Sequence, residues 1–135
     1  MAGMRRKAGT VLVETALILP LLLILTFGLI EYGWMFYKTE QISNAARQGV
    51  RVAVRPDATV PQVQGSVGSL LNAAGLGSSG YDVSLTPSDI SKAKPGDLLM
   101  VQITVPYQNI RLTGLRLLPT PDSLTAAVSM AKEGP

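Results

Sequence analysis

The sequence predicts an α+β protein: a long N-terminal transmembrane helix continuing into a small extracytoplasmic head, which holds a second helix and a short antiparallel β-sheet. Three observations predict this. Thr10 to Ile30 is an apolar run of 21 residues that carries one charge, Glu14. Helical periodicity then continues to about Val54. Beyond it lie short segments in which apolar and polar residues alternate, as half-buried strands require. A length of 135 residues suits one domain plus an anchor and is too short for two ordinary domains. The organisation read from the chain is a basic leader at 1–9, a transmembrane helix at 10–31, a helical stalk at 32–55 and a head at 56–135.

The leader carries Arg5, Arg6 and Lys7, and these three charges equal the formal net charge of +3. Residues 8–135 therefore sum to zero (+3 minus +3), which leaves no basic excess on the folded part for a nucleic acid. Basic residues before the span and none directly after it place the N-terminus in the cytoplasm. As a helix, 21 residues reach about 30 Å, the thickness of a bilayer core. Tyr32, Trp34, Phe36 and Tyr37 follow at once, four of the seven aromatics in the chain, in the manner of an interfacial aromatic belt. A cleaved secretory signal would have a shorter apolar core and a small-residue cleavage site, whereas this run ends in the bulky "GLIEYGWMFY". Pro20 falls inside the helix, where membrane segments tolerate it if neighbours satisfy the freed carbonyl.

Past Lys38, the residues Ile42, Ala45, Ala46, Gly49, Val50 and Ala53 recur at helical spacing and form a stripe of small side chains. Arg47, Arg51 and Arg55 stand on another face, read as solvated. Pro56 ends this helix. Thr59 and Pro61 begin a second one, with Val60, Val63, Val67, Leu70, Leu71 and Ala74 as its stripe and Gly75–Gly80 as its close. Tyr81–Pro87 alternates as a strand. Leu98–Gln108 is the clearest strand, with Leu99, Val101, Ile103 and Val105 on one face, and Lys94–Asp97 is a turn. Ser123–Glu133 is the last strand. The stretch between Asn109 and Ser123, with Pro119 and Pro121, is read as a crossover loop.

The chain has no cysteine and no histidine. A disulfide scaffold, a thiol nucleophile and the usual zinc and general-base chemistry are thereby excluded. Asp57, Asp82, Asp89, Asp97 and Asp122 fall at turns or helix starts, where aspartate bonds to nearby backbone. The expectation is a protein that is not an enzyme, with no cofactor, no metal, no small-molecule substrate and no nucleic-acid partner.

Glu14 is the outlier. A carboxylate near the membrane interior costs on the order of 2.5–3.5 kcal/mol on insertion scales, so it invites a functional reading. It is the fifth residue after Gly9, in "RRKAG" followed by "TVLVE" and then the apolar run. This spacing resembles the signal of type IV prepilins and pseudopilins. "GTVLVETALILPLLLILTFGLIEYGWMFY" with the downstream "NAARQGVRVA" is similar to the TadE-like family, minor pseudopilins of bacterial tight-adherence (Flp) pilus systems. The proline within the apolar run, the second glutamate and the small-residue "AARxGxR" segment carry that resemblance. Thr15 stands where close relatives commonly have an aromatic.

The resemblance implies that a prepilin peptidase cuts between Gly9 and Thr10 on the cytoplasmic face. It also implies that Glu14 then pairs with the Thr10 amine of a neighbouring subunit. Each group stranded alone in lipid is charged and unpaired, so pairing them favours assembly and fixes register. The implied partners are the lipid bilayer, the prepilin peptidase, other pilins or pseudopilins and pilus assembly proteins. The implied location is the bacterial inner (plasma) membrane, as a single-pass protein that can enter a pilus. A second reading stays open, an uncleaved membrane-anchored module whose head binds another envelope protein.

Overall fold

The computed structural model describes residues 9–114 and 118–134, together with the backbone of residues 2–8. Arg5, Arg6 and Lys7, on which the predicted topology rests, lie outside the residues described with side chains. Helix α1 spans Ala2–Ala53 and runs through Pro20 without interruption. At ~1.5 Å per residue, its 52 residues extend about 78 Å. It is followed by α2 (Val60–Ala73), β1 (Asp82–Thr86), β2 (Leu98–Pro106) and β3 (Ser123–Ala131). Two short 3₁₀ turns, Ile90–Lys92 and Tyr107–Asn109, flank β2. The α+β architecture is the one the sequence predicts.

The two halves of α1 live in different surroundings. Every residue from Gly9 to Phe27 is exposed, with Leu12 and Leu17 each at least 70% accessible. The most apolar 18-residue window of this helix has a mean hydropathy of 2.3 and is 6% buried. A core helix would be covered by its own chain, and this segment is not. From Ile42 onward the predicted stripe is fully covered: Ile42, Ala45, Ala46, Val50 and Ala53 have no exposed surface. Arg47, Arg51 and Arg55 are exposed on the other side, as expected.

α2 begins as its sequence indicates. Gln62 Oε1 accepts from the Thr59 N–H at 3.0 Å, and Pro61 occupies the first turn, where a missing N–H is harmless. Its end is a Schellman motif. Gly75 takes φ +70°, the Leu76 N–H reaches back to the Leu71 carbonyl at 2.7 Å, and the Gly75 N–H bonds to Asn72 O at 3.0 Å. Leu76 and Leu71 are both fully buried, which supplies the hydrophobic contact that this motif favours. Val63, Val67 and Leu71 form the buried face of α2. Leu70, predicted within the stripe, is 41% exposed, because it lies one position to the side of the Val63–Val67–Leu71 row.

β2 is the central strand, with β1 and β3 antiparallel on either side. Its register aligns Val83, Ile103 and Ala126 in one row and Leu85, Val101 and Val128 in the next. These rows face α1, so the core is a helix, a second helix and one sheet face closed on each other. The segment after β2 is not a crossover. β3 returns directly beside β2, with Pro106 opposite Ser123, so the connection, described over residues 107–114 and 118–122, is a return loop between neighbours. β2 also ends two residues earlier than predicted, because Tyr107–Asn109 coil into a 3₁₀ turn that carries Tyr107 inward.

The sheet runs alongside the helix. The Glu133 N–H donates to Val54 O at 2.9 Å at one end, and the Tyr107 hydroxyl reaches Glu31 at the other. The helix between these points rises about 34 Å, close to the ~30 Å of a nine-residue strand. Gly49 sets the closest approach. A Cβ there would lie 2.6 Å from Val67 Cγ2 and 3.3 Å from Val101 Cγ1. We expect Gly49→Ala to destabilise the head by about 1–3 kcal/mol through overpacking, outweighing the gain in helix propensity. Val67→Ala in the same chain should restore part of the loss. Gly33→Ala, where nothing lies within 4 Å, should leave the thermal midpoint level or slightly higher.

Candidate functional site

Two acids on α1 define the chemistry, and their surroundings are opposite. Gly9, Thr10, Val13, Glu14 and Leu17 line one shallow surface of the helix. Thr10 and Glu14 stand one turn apart, the spacing at which side chains of a helix share a face. Glu14 is exposed, and no other described residue hydrogen-bonds to its carboxylate. The neighbouring hydroxyls need no outside partner: Thr15 Oγ1 donates to Val11 O at 2.9 Å and Thr26 Oγ1 to Leu22 O at 2.8 Å. Such back-bonds to the preceding turn let threonine sit in an apolar run.

Glu31 is the reverse case. It is 2% exposed and accepts three hydrogen bonds from the return loop. The Tyr107 hydroxyl donates at 2.6 Å, the Thr113 hydroxyl at 2.6 Å and the Thr113 N–H at 3.0 Å. The sequence reading ended the transmembrane helix at residue 31 and gave Glu31 no role beyond its share in the family resemblance. A second acid at the edge of an apolar run was the available signal, but its donors lie 76 and 82 residues away.

The predicted interfacial aromatics divide into two pairs. Tyr32 Oη donates to Pro119 O at 2.9 Å and Trp34 Nε1 donates to Ile110 O at 2.7 Å, so both hold the same return loop. Phe36 and Tyr37 point outward, 67% and 54% exposed. Trp34 and Tyr37 contact each other at 5.8 Å with rings tilted by 40°. Lys38 sits over both rings, 4.7 Å and 5.6 Å from their centres. Its Nζ donates at 2.7 Å to Ala74 O, the carbonyl that closes α2, where a cation complements the negative end of the helix dipole. Burial lowers the Lys38 pKa from its ordinary value. This lysine, too, was missed as a structural element.

Together these contacts make a collar. The return loop is tied to α1 at Glu31, Tyr32 and Trp34 through Thr113, Pro119 and Ile110, and Leu118 lies over Gly28, 3.5 Å from where a Cβ would stand. The collar closes where the predicted span ends.

An uncovered apolar helix that becomes the spine of a small α+β head defines a class: a head built on a helix long and apolar enough to cross a membrane, consistent with a single-pass anchor. Within that class, residues 9–51 match the family model described as TadE-like protein, which shows the predicted TadE-like resemblance over that segment. No curated protein and no solved structure matches the chain.

Two outcomes follow from the collar. Glu31→Ala orphans the Tyr107 hydroxyl and the Thr113 N–H, and each buried unpaired donor typically costs roughly 1–3 kcal/mol. Chemical denaturation should therefore show a clear loss relative to Glu14→Ala, which touches no such contact. The second outcome is alkaline. Burial, followed by the hydrogen bond and charge of Glu31, raises the Tyr107 pKa well above its ordinary 10.0. Folding thus favours the neutral phenol, so this stabilisation is complete below about pH 10 and is lost as pH rises through the elevated folded value. Phenolate absorbance should contain a late-titrating component that disappears in Tyr107→Phe.

Proposed function

We propose that this protein is a non-enzymatic pseudopilin-like membrane subunit that takes part in tight-adherence pilus biogenesis. Its TadE-like segment associates the chain with Tad pilus-related function. The observation that carries the proposal is the uncovered apolar helix, with the family match beginning at Gly9 itself. In this reading a prepilin peptidase removes residues 1–9, including Arg5, Arg6 and Lys7. The new α-amine at Thr10 then meets Glu14 of an adjacent subunit.

The energetics favour this order of events. The three basic residues hold the N-terminus at the cytoplasmic face, so a helix stripped of them can leave the bilayer for a filament. The amine left at Thr10 is largely protonated at neutral pH, with an ordinary pKa near ~8. In an apolar packing of helices it needs a counter-charge, and Glu14 has none among the described residues. Removing one member of such a pair strands the other, typically at about 3–5 kcal/mol. Partners in this reading are the bilayer, the peptidase and other pilins or pseudopilins, with the N-terminus cytoplasmic and the head outside the inner membrane.

N-terminal sequencing and intact mass of the membrane-extracted protein test processing. A mature N-terminus at Thr10 is expected, and Gly9→Arg should abolish it. An intact Met1 or Ala2 under native expression would instead favour an uncleaved anchored interaction module. Glu14→Ala should leave cleavage largely intact and impair pilus assembly. Normal piliation in that variant would remove the amine pairing from the mechanism.

A further inference from the structure

The return loop holds a cation with no acidic partner among the described residues. Arg111 lies three residues beyond the 3₁₀ turn's Gln108, packed with its guanidinium 5.6 Å from the Tyr107 ring centre. One amino group donates to Thr120 Oγ1. Its Nε is shielded from solvent and has no hydrogen-bond partner. No carboxylate of the described residues lies within ion-pair distance of it. A guanidinium so placed has donors to spare in a fixed fork, the geometry that suits phosphate.

Two cavities adjoin Arg111. One, of about 310 Å³, is shared with Asp122, whose carboxylate opposes an anion. The other, of about 340 Å³, is lined by Gln108, Asn109, Arg111 and Gly114 and contains no acid. Gln108 is exposed and offers an amide donor. Asn109 spends one amide hydrogen on Ser79 O and keeps the other. Gly114 adopts φ +64°, a left-handed backbone that a side chain would strain. Among the described residues, the second cavity is thus a small, donor-rich bowl that carries the positive charge of Arg111.

Its height identifies the ligand. The neighbours of Arg111 in the loop, Ile110 and Thr113, bond to Trp34 and Glu31. A span from Thr10 to Ile30 covers about 30 Å of hydrocarbon, so Glu31 and Trp34 emerge at the level of the headgroups. The bowl therefore lies at the level of the phosphate layer of the leaflet on the head side. We propose that Arg111, with Gln108, Asn109 and Gly114, binds the phosphodiester of an anionic lipid headgroup and so seats the head on the membrane. The proposal rests on the single-span reading and is independent of leader cleavage.

Trp34, the one tryptophan in the chain, bonds to the residue before Arg111 and reports on the site by its fluorescence. The full chain is reconstituted into phosphatidylcholine vesicles containing increasing phosphatidylglycerol, and insertion is checked by flotation. Wild type should show a saturable change in Trp34 emission with phosphatidylglycerol content. Arg111→Gln should weaken the apparent affinity by about tenfold or more, since a hydrogen-bonded charge is lost. Gln108→Glu, an exposed change that leaves the Arg111 packing intact, should weaken it likewise, which covers the case in which Arg111→Gln misfolds. In a parallel arm, inorganic phosphate is added to phosphatidylcholine vesicles. A response to lipid but not to free phosphate supports the headgroup, whereas an equal response to free phosphate overturns the lipid assignment. Inserted protein whose Trp34 emission ignores phosphatidylglycerol, or whose variants respond like wild type, overturns the site while leaving the span standing. Failure of wild type to float with vesicles overturns the span and the site together.

Discussion

One uninterrupted backbone hydrogen-bond ladder has to serve two solvents. α1 exposes leucine, isoleucine and valine from Val11 to Ile30 and then, without a break, turns a stripe of alanine, glycine, valine and isoleucine into a protein core. In hydrocarbon every backbone N–H and C=O must be satisfied within the segment, and only a helix does this for a single span. The head inherits that helix as its spine and must be built around it. This explains why the core side of α1 is small-residued. With Gly49 under Val67 and Val101, α2 and the sheet can both approach a cylinder whose direction is already fixed. The large side chains of the core come from the elements that pack onto it, such as Leu71, Leu76, Leu99, Ile103 and Tyr107.

Such a head faces a mechanical problem at its base. A helix leaving an apolar phase has no packing partners below the exit, so the first turns above it must be gripped from the side. The return loop provides the grip, and it does so with polar contacts of three kinds. A carboxylate takes three donors at Glu31, and an indole N–H and a phenol O–H each take a backbone carbonyl. The loop is long because it has to descend from β2 to the helix and climb back to β3. Its length is a consequence of adjacency between those strands, not of a crossover. Lys38 does the equivalent job one turn higher, where its Nζ ties α1 to the C-cap carbonyl of α2 at Ala74. An apolar base would be equally well packed, but in contact with lipid it would have no reason to stop at one level.

What was legible in the sequence follows from period and spacing. The α1 stripe from Ile42 to Ala53 repeats at 3.6 residues and the β2 face at 2, so each residue announces its side. The Gly9–Glu14 interval is a count along the chain and needs no fold to be read. The collar is different, because Glu31 and Thr113 are 82 residues apart and neither belongs to a repeating pattern. Tyr32 and Trp34 were readable as boundary residues by composition, yet the same amphipathic rings serve a headgroup or a loop carbonyl equally well. Which partner they take depends on where the chain returns. Leu70 shows the limit of a helical stripe, since it is one residue off the row that Val63, Val67 and Leu71 define.

The contrast between Glu14 and Glu31, two of the three acids of α1, completes the picture. Glu14 and Glu31 are separated by about 26 Å of helix, nearly a full bilayer core. Glu31 has all of its donors within the chain, and a carboxylate so satisfied is a fastening that any exchange of partners would weaken. Glu14 has no partner among the described residues, and placed in lipid it gains most by meeting a cation from elsewhere. Under the proposed processing, the step that creates that cation also removes the charges that hold the helix in place. The lower acid then becomes useful only once a second subunit is beside it. The upper acid keeps each head rigid on its own spine while this happens. Exchange at one end is compatible with permanence at the other because both acids sit on the same continuous helix, in surroundings that differ only in what the rest of the chain brings to them.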